Sequence, residues 1–323
     1  MNINTSKKEL RSENKKEEFW SKTSVWLSTT LFCVFLWGTA FPIVKTGYRV
    51  FQINNASSDA VPSLLLFAGL RFSLAGLLTI VFTAISEKRS PFPQNKLQWK
   101  DAFILSIPQT IFQYGFFFIG LANTSGSIGS ILAGTSSFMT VVLASLIFKN
   151  EKMNFLVSLG CVLGLVGVIL VGFQGGDNLG FNWLGDGFML LSAFSTAIGM
   201  IISKTYTARN HPRLLSGWNL MMGGLFLIIS GLIFGGSINP INSKAWLILL
   251  YLATLSSIAF ALWTTMLKYH SVSKLSVFKS LIPVMGSIGS AVILKENILQ
   301  VRFIIALILV MLGIALVNYK REV

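Results

Sequence analysis

The sequence predicts an all-α membrane protein with ten transmembrane helices, arranged as two five-helix inverted repeats. The chain of 323 residues is 53% hydrophobic and has a mean hydropathy of +0.69, which is unusual for a soluble globular protein. Its apolar residues form ten runs long enough to cross a bilayer. The second half of the chain also repeats the order of apolar and charged landmarks in the first half. We therefore expect a polytopic helical bundle.

Charged and turn residues bound the ten predicted spans. The spans are residues 25–44, 62–85, 101–121, 125–148, 154–173, 184–204, 215–235, 246–267, 275–294 and 299–319. Short links, such as ANTS at 122–125, place consecutive spans antiparallel to each other. Residues 1–24 are polar and predict a disordered cytoplasmic tail, and no linker is long enough to hold another domain.

The lysines and arginines predict the orientation of these spans. Nineteen of them fall on one side of the predicted membrane and five on the other, so the richer side is expected to be cytoplasmic. Both termini are then cytoplasmic, in a multi-pass protein of the cytoplasmic (inner) membrane. The formal charge of +14 does not indicate nucleic acid binding, because the basic residues lie between apolar runs rather than on one folded face.

Two halves of the chain align when the sequence is shifted by 146 residues. GVILVGF at 167–173 then meets GIALVNY at 313–319, and Lys149 meets Lys295. The halves, residues 25–173 and 174–323, hold five spans each, and an odd number inverts the second half relative to the first. Two such halves can exchange inward-open and outward-open shapes around a site near the midplane of the membrane.

Three segments carry a resemblance to a known family. They are LWGTAFPIVK at 36–45, GLRFSLAGLL at 69–78 and SLIPVMGSIGSAVILKE at 280–296. With them the chain resembles the drug/metabolite transporter superfamily, in its ten-span EamA-type branch, over residues 25–320. The resemblance implies an inverted repeat with a central cavity built from the third, fourth, eighth and ninth spans. It also implies transport of amino acids, other metabolites or phosphorylated metabolites, without choosing among them.

Two basic residues, Arg71 and Lys279, lie within predicted spans, whereas all acidic residues lie in the tail, in loops or at span ends. A cation in hydrocarbon costs roughly 2.5 to 3.5 kcal/mol on insertion scales, so each is a candidate solute-binding residue. The alternative for Arg71 is a structural clamp between helices, and Lys279 could extend towards the cytoplasm. Pro283 removes one helical donor and is expected to free the carbonyl of Lys279 beside that charge.

Polar and aromatic side chains within the spans complete the predicted solute site. Gln109 and Gln113 share one face of the third span, with Tyr114 adjacent, and would either bind a solute or join helices. Trp37 and Trp263 would either form aromatic walls or pack. The substrate-binding residues predicted from the sequence are Trp37, Arg71, Gln109, Gln113, Tyr114, Trp263, Lys279 and Pro283.

These features predict a secondary transporter that exports small organic solutes, such as amino acids or related metabolites. The alternatives are an obligatory exchanger of phosphorylated or nucleotide-linked metabolites and a non-transporting membrane scaffold. An enzyme is not expected, because no span holds an acid-base or nucleophilic constellation. Cys33 and Cys161 offer neither a disulfide framework nor metal-ligand spacing, and we expect no cofactor. The predicted partners are a small-molecule substrate and the lipid bilayer, with a homodimer left open.

Overall fold

Long apolar segments of this chain form helices, because a backbone in hydrocarbon must satisfy its own N–H and C=O groups. The computed structural model describes residues 14–53, 60–123, 132–172, 182–282, 284–285 and 301–319. All regular structure within these ranges is helical, and none of it is strand. The predicted all-α class is therefore confirmed.

Eleven α-helices have both ends within the described ranges. In chain order they are α1 (Thr23–Val50), α2 (Ala60–Ser86), α3 (Lys96–Ser106), α4 (Gln113–Ala122), α5 (Ser136–Ile147), α6 (Phe155–Gly172), α7 (Phe188–Thr207), α8 (Pro212–Ile233), α9 (Lys244–Tyr269), α10 (Val272–Ser276) and α11 (Val301–Asn318). Residues 14–21 are helical as well, so this part of the tail is not the disordered segment that its polar composition predicts.

Six helical segments are long and apolar enough to cross a membrane. They are Thr23–Ala40, Ala60–Ser86, Lys96–Leu121, Trp183–Thr207, Pro212–Ile233 and Lys244–Tyr269. Shorter apolar helices, Leu132–Ile147, Phe155–Gly167 and Leu307–Asn318, lie within three more of the predicted spans. Much of the remaining predicted span, 275–294, including Pro283, lies outside the described residues.

Glycines let two pairs of helices approach until their backbones are in contact. A Cβ placed on Gly69 of α2 would lie 2.7 Å from the carbonyl oxygen of Gly224 in α8. Likewise, a Cβ on Gly160 of α6 would lie 2.8 Å from the carbonyl oxygen of Gly313 in α11. Small residues at such crossings are the usual way for membrane helices to gain van der Waals contact without a hydrophobic driving force.

Two segments near the predicted site depart from α-helical geometry. Residues Ile107–Phe112 form a π-helix between α3 and α4, and Pro108, which has no N–H to donate, lies within it. Residues Val277–Leu281 form a 3₁₀-helix after α10. In that segment the N–H of Ile282 donates to the carbonyl of Lys279. The expectation of a free Lys279 carbonyl is therefore wrong, because the tighter i to i+3 bonding provides it with a donor.

Trp37 packs against both of the two larger hydrophobic clusters of the core. One of these clusters includes Trp263 and Phe278, and the other includes Phe72 and Phe260. The predicted site residue Trp37 thus lies where these two clusters meet.

Candidate functional site

Lys279 lies against two tryptophan rings from other helices. Its Nζ is 5.1 Å from the ring centroid of Trp37 in α1 and 5.2 Å from that of Trp263 in α9. The two indoles are 5.1 Å apart and inclined at 58°, so they form two sides of a cage around the ammonium group. Each cation–π contact is worth about 0.5 to 2 kcal/mol, and together they offset the cost of placing a lysine here.

Trp263 also contacts a methionine. Its Nε1 lies 3.3 Å from the sulfur of Met200 in α7, and the side chain is almost fully buried. The structure thus brings three predicted residues, Trp37, Trp263 and Lys279, into one cluster. We call these three residues the lysine cage.

Arg71 lies in a second cluster, on the buried face of α2. Its Nε donates to the hydroxyl of Ser256 in α9 at 3.1 Å. A guanidinium carries five N–H groups, and within the described part of the chain this is its single hydrogen bond. The guanidinium lies 5.1 Å from the ring centroid of Phe72, on which Tyr114 packs, and the Tyr48 ring packs on Phe67, one turn before Arg71 in α2. We call Arg71, Ser256, Tyr48 and Tyr114 the arginine cluster.

Five aromatic rings connect the two cationic clusters. Adjacent ring centroids along the series are separated by 4.0, 6.4, 5.5 and 5.1 Å, which are typical contact distances for aromatic pairs. From the arginine cluster to the lysine cage, the rings are Tyr114, Phe72, Phe260, Trp37 and Trp263. The bundle therefore places a continuous aromatic wall between a buried guanidinium and a caged ammonium. Such a wall suits the apolar body of a small organic ion.

The two predicted glutamines lie beside each other in the chain's third span but have different surroundings. Gln109 is buried, and its side-chain oxygen accepts a hydrogen bond from Asn219 of α8 at 3.1 Å. The same asparagine accepts from Thr110, so this pair joins the π-helical segment to α8. The backbone carbonyl of Gln113 accepts from Ser192 of α7. Solute contact by either glutamine stays a prediction.

Two buried carboxylates, Glu151 and Asp101, lie at one end of the bundle, and a third, Asp186, lies just before the start of α7. Glu151 accepts hydrogen bonds from the backbone N–H groups of Val272 and Ser273, at 2.7 and 2.8 Å, where α10 begins. Beside it, Lys204 of α7 donates to the carbonyl of His270 at 2.8 Å. We call this the Glu151 end; it is the end that the sequence predicts to be cytoplasmic.

Ion pairs between side chains also lie at the Glu151 end. Asp101 of α3 is almost fully buried and accepts a bidentate hydrogen bond from Arg209, just beyond α7. Glu87 contacts His211 at 2.9 Å and Arg213 at 3.2 Å. A small cleft of about 30 Å³ opens here between the loop at residues 89–98 and the start of α8, and no predicted site residue lines it. We therefore do not assign the solute site to this cleft.

Several residues of the arginine cluster and of the aromatic wall were not predicted from the sequence. Tyr48, Phe72, Ser256 and Phe260 lie in apolar spans, where a tyrosine, a serine or a phenylalanine is unremarkable. One signal was present for Ser256, because Ser256 and Ser257 are consecutive hydroxyl residues in the middle of a predicted span. The other three are identified only by their contacts.

Comparisons with known proteins agree with this architecture. A solved crystal structure covers 92% of this chain and 97% of its own at a TM-score of 0.76 and 18% identity, and therefore shares the fold. The chain is 28% identical over 298 residues to a WAT1-related chloroplastic protein of Arabidopsis thaliana, which covers 89% of this chain and 68% of that protein.

It is also 27% identical over 294 residues to a "Probable amino-acid metabolite efflux pump" of Escherichia coli strain K12, which covers 88% of this chain and 91% of that protein. The family model described as the EamA-like transporter family matches residues 24–173 and 183–319. The chain therefore belongs to the EamA-like transporter family, within the drug/metabolite transporter superfamily, and is a multi-pass membrane transporter.

Proposed function

We propose that this protein is a secondary transporter that exports small organic solutes, such as amino acids or related metabolites, by alternating access around a central site. The observation that carries this proposal is the pair of cations, Arg71 and Lys279, joined by an aromatic wall with no carboxylate paired to either in the described part of the chain. Two cations without an internal counter-charge favour a solute that brings a carboxylate or phosphate.

Helix packing supports an inverted repeat of two five-span units, residues 25–173 and 174–323. A pseudo-two-fold axis that relates each span to the one five places later maps the pairs of spans two and seven, four and nine, and five and ten onto themselves. Helices α2 and α8, α5 and α10, and α6 and α11 form these pairs and are in contact. The same axis exchanges the pair α1–α9 with the pair α7–α4, and both pairs pack together. The family model also matches the chain in two segments.

The contact of Glu151 with α10 supports alternating access between these units. The carboxylate belongs to the first unit, and the two N–H groups that it binds belong to the second. A buried carboxylate that accepts two backbone hydrogen bonds holds the units together at this end. Opening towards this side requires the contact to break, so we assign it the role of a closing contact in the transport cycle.

The proposed setting is the cytoplasmic membrane, with both termini and the Glu151 end in the cytoplasm. The excess of lysine and arginine on this side supports the orientation. The efflux-pump name of the Escherichia coli relative supports the outward direction and the substrate class. A cysteine introduced into the tail at Ser6 and tested with a membrane-impermeant thiol reagent on intact cells measures the orientation directly.

Reconstitution into liposomes tests the proposed function. The purified chain should release a subset of preloaded amino acids and related metabolites faster than empty liposomes do. Arg71→Ala should reduce that flux at least tenfold, whereas Arg213→Ala, a basic residue at the Glu151 end, should leave it within about twofold. Absence of flux for every solute in the panel, or equal flux in both variants, would contradict the proposal.

An obligatory exchanger of phosphorylated or nucleotide-linked metabolites is the second candidate, and the cationic interior favours it. The two candidates differ in their need for a counter-substrate. An exchanger carries labelled solute into liposomes only when they contain unlabelled solute, whereas an exporter that works as a uniporter equilibrates solute across empty ones. Flux that survives all substitutions in both cationic clusters would instead fit a protein whose transport site lies elsewhere.

A further inference from the structure

The hydroxyl of Tyr48 is buried in the bundle without a hydrogen-bond partner among the described residues. Its ring packs edge-on against Phe67 and Phe118, at centroid distances of 5.6 and 6.2 Å, and the whole residue is 8% exposed. A buried hydroxyl that forms no hydrogen bond destabilises the folded state, because it has lost its bonds to water. A phenylalanine would fill the same space without that cost, so the hydroxyl needs another explanation.

Arg71 lies one helical turn after Phe67 in α2, and the Tyr48 ring packs against Phe67, so the two side chains share this part of the bundle. Within the described part of the chain the guanidinium has one hydrogen bond, through Nε to Ser256, and lies 5.1 Å from the ring centroid of Phe72. A cationic donor with further N–H groups and a neutral donor without a partner therefore lie in one buried cluster. Arginine N–H groups form short, charge-assisted hydrogen bonds with carboxylates, and a tyrosine hydroxyl donates to the same acceptors.

The lysine cage lacks a second, unpaired donor. The ammonium of Lys279 lies over two rings, Trp37 and Trp263, and the Trp263 N–H already contacts the sulfur of Met200. Arg71 lies over one ring, that of Phe72, and shares its cluster with the unpaired hydroxyl. The arginine cluster is therefore the stronger candidate for holding an anionic group.

We infer that Tyr48 is a solute-binding residue, whose hydroxyl donates together with Arg71 to a single anionic group of the transported solute. This inference rests on the proposed function and adds a specificity-determining residue to it. One guanidinium and one neutral hydroxyl match the single charge of a carboxylate better than the double charge of a phosphate. The arginine cluster is then the carboxylate end of the site, and the aromatic wall contacts the remainder of the solute.

The test measures binding of a simple carboxylate to the full-length protein in detergent. Sodium acetate is added against sodium chloride of equal ionic strength, and the thermal unfolding temperature Tm is followed. The wild-type Tm should rise with acetate. Tyr48→Phe should weaken the apparent acetate affinity about tenfold, while leaving the Tm without acetate equal or higher, because only an unpaired hydroxyl is removed.

Two further variants control the measurement. Tyr251→Phe is the same substitution on an exposed face of α9 and should leave the acetate affinity unchanged. Lys244→Met removes an exposed positive charge at the start of α9 and should retain the acetate response. An unchanged affinity in Tyr48→Phe, a lower acetate-free Tm in that variant, or a wild-type protein that does not respond to acetate would each overturn the inference. A larger response to inorganic phosphate than to acetate would overturn the assignment to a carboxylate.

This experiment separates the inference from the proposed function, because it requires no transport. If acetate binds through Tyr48 but reconstituted liposomes show no flux, the proposed function fails and the binding residue stands. If liposomes transport a solute but acetate does not stabilise the protein, the inference fails and the transporter stands.

Discussion

Charged side chains have different partners in the middle of the bundle and at its Glu151 end. At the Glu151 end, Asp101 is paired with Arg209, and Glu87 contacts both His211 and Arg213. In the middle, Arg71 is bonded to a neutral hydroxyl and Lys279 lies against aromatic faces. Charges that are paired within the protein hold helices together, whereas a cation left without a counter-charge is ready to receive one.

The comparison also locates the part of the molecule that is expected to move. The Glu151 carboxylate binds backbone groups of a helix in the other half of the chain, so it stabilises one arrangement of the two halves. The aromatic wall between the cationic clusters is held mainly by ring packing, and the bond from Trp263 to Met200 joins α9 and α7 within the second half of the chain. The following predictions test this division, from the largest expected effect to the smallest.

Giving Arg71 an internal counter-charge should make the middle of the bundle resemble the Glu151 end, where cations are paired with carboxylates. In Ser256→Asp, the new carboxylate replaces the hydroxyl that lies 3.1 Å from Nε and competes with the solute at a high effective concentration. We expect solute flux to fall by more than about tenfold while the protein stays folded, because the new charge is paired. Ser256→Asn, of the same shape without the charge, is the control. Wild-type flux in Ser256→Asp would show that Arg71 does not bind the solute.

Weakening the Glu151 contact should open that end of the bundle. In Glu151→Gln, one of two charge-assisted hydrogen bonds becomes neutral and the other is lost, at a cost of about 1.5 to 3 kcal/mol. Cys33 is fully buried in α1 and provides a native reporter of opening. In a Cys161→Ser background, we expect a thiol reagent to label Cys33 at least several-fold faster in Glu151→Gln.

Glu87→Gln is the matched control for that measurement. Glu87 lies at the same end but contacts side chains of the loop and α8 rather than α10. Its substitution should leave Cys33 labelling unchanged. Equal labelling rates in the wild type and Glu151→Gln would remove the closing role from Glu151.

Breaking a paired charge should lower stability without changing solute affinity. Arg209→Ala leaves the carboxylate of Asp101 with Asn210 as its remaining side-chain donor, at 2.6 Å. Arg209 is itself about half exposed, so we expect a loss of only about 1 to 2 kcal/mol, seen as a lower Tm in detergent. The KM for flux should stay within about twofold of the wild-type value. A raised KM with an unchanged Tm would show that this end takes part in solute binding.

The smallest expected effect is a dependence of stability on pH at the Glu151 end. Burial lowers the pKa of His211 to about 4; Glu87 opposes this shift, and Arg89 and Arg213 add to it. The unfolded chain, with an ordinary histidine pKa near 6.5, takes up a proton that the folded protein does not. Stability therefore falls as the pH drops from about 6.5 towards 4. The change in Tm between pH 7 and about pH 5 should be smaller in His211→Gln, and an equal change in both proteins would exclude this role.

The helical class and much of the span layout were predictable from the sequence, and so were two of the central residues. Arg71 and Lys279 were identified because a basic residue in an apolar span is costly wherever its neighbours lie. The differences between the sequence-based predictions and the structure were local. Pro283 predicted a free carbonyl at Lys279, and the chain instead formed 3₁₀ bonding that supplies a donor. The polar tail predicted disorder, yet residues 14–21 are helical and the carbonyl of Trp20 contacts His270.

By itself, the sequence determined that this chain lies in a membrane as apolar helices with two cations among them, because hydropathy and charge act within a single segment. Only the tertiary structure decided what each cation contacts. Arg71 and Ser256 are 185 residues apart in the chain, and Gln109 meets Asn219 across 110 residues. Such contacts depend on how helices cross and rotate against each other. Backbone approach at glycines such as Gly69 and Gly224 sets that geometry, and a linear pattern does not contain it.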